Sequence, residues 1–198
     1  NMLVVNKESG IKNLADFVAM AKKAPDTVSF ASTGAGSASH LTGELFAIRT
    51  STDMLHVPYK GGAPAMQDLL ANRFTGYFSA PPTSIPHVET GKLVAIATTG
   101  LTRPSYLSNV PTVAESGYPG FEALNWYAFL ASAKVPSAIL DKWNAEIVKV
   151  LNDQSTKDAL TKLGLSGAPS TRAELTAFMQ KESEKWGKLV RERKISAD

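Results

Sequence analysis

The sequence predicts an α/β fold, a mostly parallel sheet with flanking helices. Three observations carry this. Short apolar runs alternate with helical patterns in the order β-α-β-α-β-α-β, as in a sheet whose strands are joined by helical crossovers. Three loops that follow strands, 33–39, 59–63 and 80–84, are rich in Gly, Pro, Ser or Thr, and none is rich in acid. The first of these lies between an apolar run and a helical pattern. A strand, a small-residue turn and a helix in that order make an anion site, because the first helical N–H groups have no partner within the helix.

The elements follow in order. Residues 3–5 read as a buried strand. Leu14, Phe17, Val18 and Ala21 recur at helical spacing behind Asn13, a capping type. Pro25 and Asp26 turn the chain into a strand over 28–31. The turn and a helix over 38–49 come next, with Leu41, Leu45 and Ile48 on one side. Residues 54–57 form a short strand stopped by Pro58. Tyr59-Lys60-Gly61-Gly62-Ala63-Pro64 opens a helix through 65–70, and Pro64 suits a first turn. A strand over 74–79 ends in Pro81-Pro82-Thr83-Ser84, read as a turn. A helical turn over 85–89 stops at Gly91, and 93–98 is a clean apolar strand.

Residues 100–120 are irregular and turn-rich. A strand is expected over 126–131 and a helix from Pro136, its apolar face made by Leu140, Trp143, Ile147 and Leu151. A short helix over 158–163 closes at Gly164. Thr171-Arg172-Ala173-Glu174 is a capping box for a last helix that buries Leu175, Phe178, Met179, Trp186 and Leu189. Its charged residues between 181 and 194 read as a solvated face. This part has several helices and one strand, and helices with large apolar faces need a sheet to cover. The expectation is that 126–198 is a mainly helical part of an incomplete domain, separate from 1–125.

Composition narrows the function. The chain has 198 residues, enough for one large domain or two small ones. A net charge of +3 is too mild to argue for nucleic acid. The absence of cysteine removes disulfides, thiolate nucleophiles and zinc–thiolate sites. No apolar run approaches the ~18 residues of a membrane span. The chain opens on Asn1-Met2-Leu3-Val4-Val5 without the ordered regions of a signal peptide, which leads us to expect further chain upstream.

The 33–39 turn sets Thr33, Gly34, Gly36, Ser37 and Ser39 together. A dinucleotide fingerprint would have a third glycine where Ser39 stands and an acid at the end of the next strand. A P-loop would have Gly-Lys-Ser/Thr. His40, His56 and His87 make no metal-ligand spacing. Ser37 and His40, three apart on one helix, lack nucleophile-elbow geometry and an orienting carboxylate. No catalytic residue, metal or cofactor is expected. Ser37 also reads as an N-cap and His40 as a side chain that packs or caps the loop. Lys60 reads either as a surface charge or as a group at a pocket rim.

Five segments then carry a family likeness: S-T-G-A-G-S-A-S-H-L-T-G-E-L-F (32–46), H-V-P-Y-K-G-G-A-P-A-M-Q-D-L-L (56–70), P-H-V-E-T-G-K-L-V-A-I-A-T-T (86–99), N-V-P-T-V-A-E-S-G-Y-P-G-F-E (109–122) and K-W-G-K-L-V (185–190). In this order they resemble the Bug-type, TctC-like substrate-binding proteins of tripartite tricarboxylate transporters, over essentially the whole chain. The resemblance implies a periplasmic-binding-protein-like fold and a periplasmic receptor that hands a small carboxylate to membrane transporter subunits without chemistry. By motif, the ligand-binding candidates are Thr33, Gly34, Gly36, Ser37 and Ser39, then Tyr59 and Lys60, then Pro82 and Thr83. It also implies roughly a hundred residues before Asn1, an export signal included, so that 1–125 is the complete second domain and 126–198 the returning half of the first. Many relatives carry an acid or amide in the third loop, where this chain has Ser79-Ala80-Pro81-Pro82. That favours a plain mono- or dicarboxylate, aromatic ones included, over an amino acid. The alternative is an enzyme or binding module that uses the same turn as a phosphate cradle. A third reading is an interaction module that dimerises through its incomplete domain.

Overall fold

The structure, a computed structural model, describes residues 1–196. The chain divides into two units, Asn1–Asn125 with the segment from Lys188 onward, and Trp126–Gly187. Unit 1 is organised by five strands, β1 (Met2–Asn6), β2 (Ser29–Ser32), β3 (Leu55–Pro58), β4 (Gly76–Ser79) and β5 (Leu93–Thr98). Their order across the sheet is β3-β2-β4-β1-β5. Strand β2 pairs in parallel with β3 and β4, whereas β1 is antiparallel to β4 and β5. Four strands therefore run one way and β1 alone runs against them.

The expected α/β class with a mostly parallel sheet stands, and within it the one interior strand β1 is reversed. A parallel neighbour needs a crossover that carries the chain back to the starting edge. Strand β1 ends at the edge where β2 begins, so the intervening helix α1 (Leu14–Lys23) carries no such crossover. Alternation of strand and helix patterns reads the same in both cases.

Both faces of the sheet are covered, which is why β1 is buried at all five positions. On one face Met2, Val4, Ala31 and Tyr77 pack with Ala65, Met66 and Leu69 of helix α3 (Gly62–Leu70). On the other, Phe30 and Phe78 meet edge to face at 6.2 Å, and Phe46 packs on Phe17 at 6.0 Å. Phe46 belongs to helix α2 (Ala38–Thr50), which lies close enough that a Cβ on Gly43 would stand 2.1 Å from the Phe30 ring. Glycine is required there by proximity.

Local signals set the helix starts. The Asn13 side chain accepts from the Asp16 amide and the Ser37 side chain from the His40 amide. One sequence expectation changes: Pro81-Pro82-Thr83-Ser84 is the first turn of helix α4 (Pro81–Glu89), not a separate turn. Two prolines at N1 and N2 lack only N–H groups that a helix start leaves unpaired anyway.

Unit 2 contains helix α5 (Ser137–Asn152), helix α6 (Gln154–Lys162) and most of helix α7 (Arg172–Glu192). The Thr171 capping box forms, with the Thr171 amide on Glu174 Oε2 and the Glu174 amide on Thr171 Oγ1. Helix α6 starts earlier than expected because Asp153 caps it, accepting from the Ser155 and Thr156 amides. The strand expected over 126–131 does not form among the described residues. A strand needs a neighbour, and here Tyr127 and Phe129 are each 77% exposed. Of the apolar residues expected inside α7, Leu189 is buried, while Leu175, Phe178, Met179 and Trp186 are half-buried. The buried side chain of unit 2 is Glu182, which accepts from the indole N–H of Trp126 at 3.3 Å and of Trp186 at 2.8 Å.

Candidate functional site

Because β2, β3 and β4 run the same way, Ser32, Pro58 and Ser79 end at one edge of the sheet. Each leads within a few residues into a helix start, at Ala38, Gly62 and Pro81. That edge therefore collects three helix N-termini, with their unpaired amides and partial positive charge. It is the place where α/β sheets bind ligands.

The 33–39 turn is held by its own polar groups. The Ser32 hydroxyl donates to the Gly34 carbonyl at 3.0 Å and accepts from the Gly34 amide at 3.1 Å. The Thr33 amide donates to Ser39 Oγ at 3.0 Å, and Ser37 Oγ donates to the Gly34 carbonyl at 2.7 Å. The Gly36 amide donates to His40 Nδ1 at 3.1 Å, and the Ser37 amide donates to the Gly34 carbonyl. Gly34 and Gly36 both hold positive φ, at 130° and 71°, which only glycine adopts without strain.

This accounting changes which groups face a ligand. The amides of Thr33, Gly34, Gly36 and Ser37 are engaged inside the turn. Within residues 33–39, the amides of Ala35, Ala38 and Ser39 are the ones no described protein group takes up. Ala35 and Ala38 carry no side-chain signal, so a reading by residue type passes over them. Ser32, which ties the turn to β2, was also missed.

The second and third loops are placed as follows. Tyr59 turns its hydroxyl away to Asp68 Oδ2 at 2.9 Å and rests its ring on Phe74. Its contribution near the turn is backbone: the Tyr59 carbonyl lies 3.7 Å from where a Cβ of Gly34 would stand. Lys60 is exposed and makes no ion pair among the described residues. Pro82 is exposed and Thr83 half-buried.

Gly62 shows where the loops converge. A Cβ there would meet Tyr77 Oη at 3.4 Å, Thr83 Cγ2 at 3.8 Å and Thr33 Cγ2 at 3.9 Å. The structure thus brings together two sequence candidates, Thr33 and Thr83, with two residues not anticipated, Gly62 and Tyr77. Alternation along β4 places Tyr77 and Ser79 on one face, which is the signal that could have found them. Burial pushes the Tyr77 hydroxyl above its ordinary pKa against an opposing bond to Ser79, so it stays protonated and able to donate.

Acid near the turn is already matched. Burial raises the Glu44 carboxyl, but hydrogen bonds from His40 and Arg193, with the Arg193 charge, outweigh this and hold it below its ordinary value. Among the described residues the edge therefore offers neutral donors and helix termini, and the acid beside the turn, Glu44, is already matched. The Ser37 hydroxyl bonds the Gly34 carbonyl while the His40 ring takes the Gly36 amide, so the two side chains do not form a nucleophile–base pair.

Comparison with known proteins follows the same line. The family model described as TctC, tripartite tricarboxylate transporter family receptor, matches residues 1–195. A protein encoded in the tcbD-tcbE intergenic region of Pseudomonas sp. strain P51 is 34% identical over the full chain. The chain spans 59% of that relative's length. The solved structure of R. palustris Rpa4515 with adipate superposes with a TM-score of 0.91 at 29% identity, over 99% of this chain and 66% of that one. MatC from Rhodopseudomonas palustris with bound malate gives 0.81 at 27% identity, over 96% of this chain and 65% of that one.

Proposed function

The chain belongs to the tripartite tricarboxylate transporter receptor family, and from that premise we propose that it is a solute receptor for a small carboxylate, acting in the periplasm without catalysing a reaction. The observation that supports this most is the edge of the sheet where Thr33, Gly62, Tyr77 and Thr83 meet beside free amides of the 33–39 turn. Neutral hydroxyls and amides at a helix start suit a carboxylate, and no unmatched acid stands there to hold an ammonium group. A plain mono- or dicarboxylate is therefore the ligand class. The two relatives solved with adipate and with malate make dicarboxylates the first to try.

In this reading Thr33, Gly34, Gly36, Ser37, Ser39 and Thr83 form or shape the ligand wall. Lys60 and Pro82 lie at its rim, and Tyr59 acts through its backbone. Residues 1–125 constitute one complete lobe, and the chain after 125 contributes to another. The receptor passes its ligand to membrane transporter subunits. Among the described residues no helix is long and apolar enough to cross a membrane. Self-association through the exposed apolar residues of unit 2 is the accompanying expectation, checked by sedimentation.

A thermal-shift panel of mono-, di- and tricarboxylates, amino acids, phosphates and nucleotides tests the assignment. Stabilisation that grows with carboxylate concentration is expected, since a ligand bound to the native state raises its stability. A response to phosphates or nucleotides in place of carboxylates would give the turn to phosphate recognition and sink this reading.

A further inference from the structure

Two imidazoles lie behind the turn. The rings of His40 and His56 stack with centroids 3.6 Å apart and planes 6° from parallel. Phe30 stacks on His56 at 5.2 Å. Each ring also bonds into the turn. His40 Nδ1 accepts the Gly36 amide at 3.1 Å. His56 Nε2 lies 2.6 Å from Ser32 Oγ, the hydroxyl that brackets both backbone groups of Gly34. The charged groups facing the pair are Glu44 of α2, 3.6 Å from His40 Nε2, and Arg193, which bonds Glu44. From β2 the pair meets Phe30 and Ser32, which carry no charge.

The chemistry of the rings follows from these contacts. An amide donor at Nδ1 requires a lone pair there, so His40 in this geometry is the neutral Nε2–H tautomer with its proton towards Glu44. A second proton would set an N–H against the Gly36 N–H and cost the turn one of its bonds. A charge on either ring would also sit in a stack at 3.6 Å, where a second charge is strongly disfavoured.

We propose that His40 and His56 are positioning residues for the carboxylate site, holding the 33–39 turn in its binding form only while both rings are neutral, so that protonation of the pair and capture of the carboxylate oppose each other. This rests on the carboxylate-receptor reading above. Burial, helped by the neighbouring His40, lowers the His56 imidazole to about 4, with Glu44 opposing. His56 thus stays neutral at ordinary pH and responds to acid.

The test has one arm without ligand and one with adipate as the probe. In the ligand-free protein, amide signals of Gly34 and Gly36 and ring signals of the histidines are followed by NMR as pH falls. The amides should move with the same midpoint as the His40 and His56 rings. His40→Asn, whose side-chain carbonyl can replace Nδ1 as acceptor, should keep the Gly36 amide at its neutral-pH position and abolish its acid shift, while Gly34 still follows the His56 ring through Ser32. With adipate, His40→Leu should weaken binding about tenfold, the effect of one lost bond to a half-buried donor, and His40→Asn should stay within about twofold of wild type. Rings that titrate while Gly34 and Gly36 stand still would overturn the proposal, as would a His40→Leu variant that binds adipate like wild type. If His40→Leu does not fold, the acid shift of the Gly36 amide in His40→Asn decides alone: its persistence overturns the proposal. Wild type that binds neither adipate nor any other carboxylate of the panel overturns the receptor reading, and the ligand-free arm then decides the histidine pair by itself.

Discussion

The two units bury very different material. In unit 1 a sheet lies between helices, and Met2, Leu3, Phe17, Phe30, Phe46 and Phe78 are all fully buried. In unit 2 neither α5 nor α6 has a buried residue, and Trp143 is 58% exposed although it stands on the apolar side of α5. Among the described residues every buried large apolar side chain lies in unit 1. The helical patterns are equally clear in both. What differs is the sheet, which gives an apolar stripe something to pack on. Amphipathicity therefore shapes a helix without closing a core, and most helical stability comes from the surface that receives the stripe.

All three tryptophans, Trp126, Trp143 and Trp186, fall in unit 2, so indole fluorescence reports that unit alone. This allows the contrast to be broken or sharpened. The largest effect is expected in unit 1: Phe30→Ala should cost about 3–5 kcal/mol in urea unfolding followed by circular dichroism, from lost burial and the cavity left behind. Trp143→Ala, at an exposed position, should stay within about 0.5–1 kcal/mol. Equal losses would break the distinction. Glu182→Leu comes next. It leaves the Trp126 and Trp186 indole N–H groups without their acceptor and should cost unit 2 about 1–3 kcal/mol, read as a lower fluorescence midpoint. An unchanged midpoint would mean that solvent already serves these groups.

Ser37→Ala should remove about 1 kcal/mol as a lost helix cap. It should also weaken carboxylate binding, because Ser37 Oγ fixes the Gly34 carbonyl. Stability loss with unchanged affinity would reduce Ser37 to its capping role. The mildest effect is that of pH near neutrality. His56 titrates at about 4 when folded and at the ordinary 6.5 when unfolded. Between those values the unfolded chain binds the extra proton, so its contribution is fully present above the ordinary pKa and is lost as pH falls towards the folded one. His56→Phe should flatten that part of the stability–pH curve in unit 1, with no change in the fluorescence midpoint of unit 2.

What could be read from the sequence was local. Asn13, Ser37 and the Thr171 capping box act within one helical turn, and their residue types announced them. The small-residue turn was equally visible, since its two positive-φ positions need glycine. What escaped depends on neighbours distant in the chain. The stacking of His40 on His56 requires β3 to lie beside β2, and the place of Tyr77 in the site requires α3 to bring Gly62 above it. The direction of β1 is a matter of connection, which hydropathy does not record. The strand expected over 126–131 had suitable residues and yet takes no place in a sheet among the described residues, and pairing decides a strand.

The reversed strand has a consequence for the order of assembly. Strand β1 sits between β4 and β5, and the Thr99 amide closes onto the Asn1 carbonyl across 98 residues of sequence. The β3-β2-β4 trio can pair through much shorter loops, and short closures come first because their entropy cost is lower. The apolar strand Met2–Val5 therefore has its places in the sheet only once β4 and β5, both later in the chain, exist to receive it. In a chain emerging from a ribosome this strand would precede both of its sheet neighbours, and during that interval Met2–Val5 is a stretch that needs a chaperone's cover.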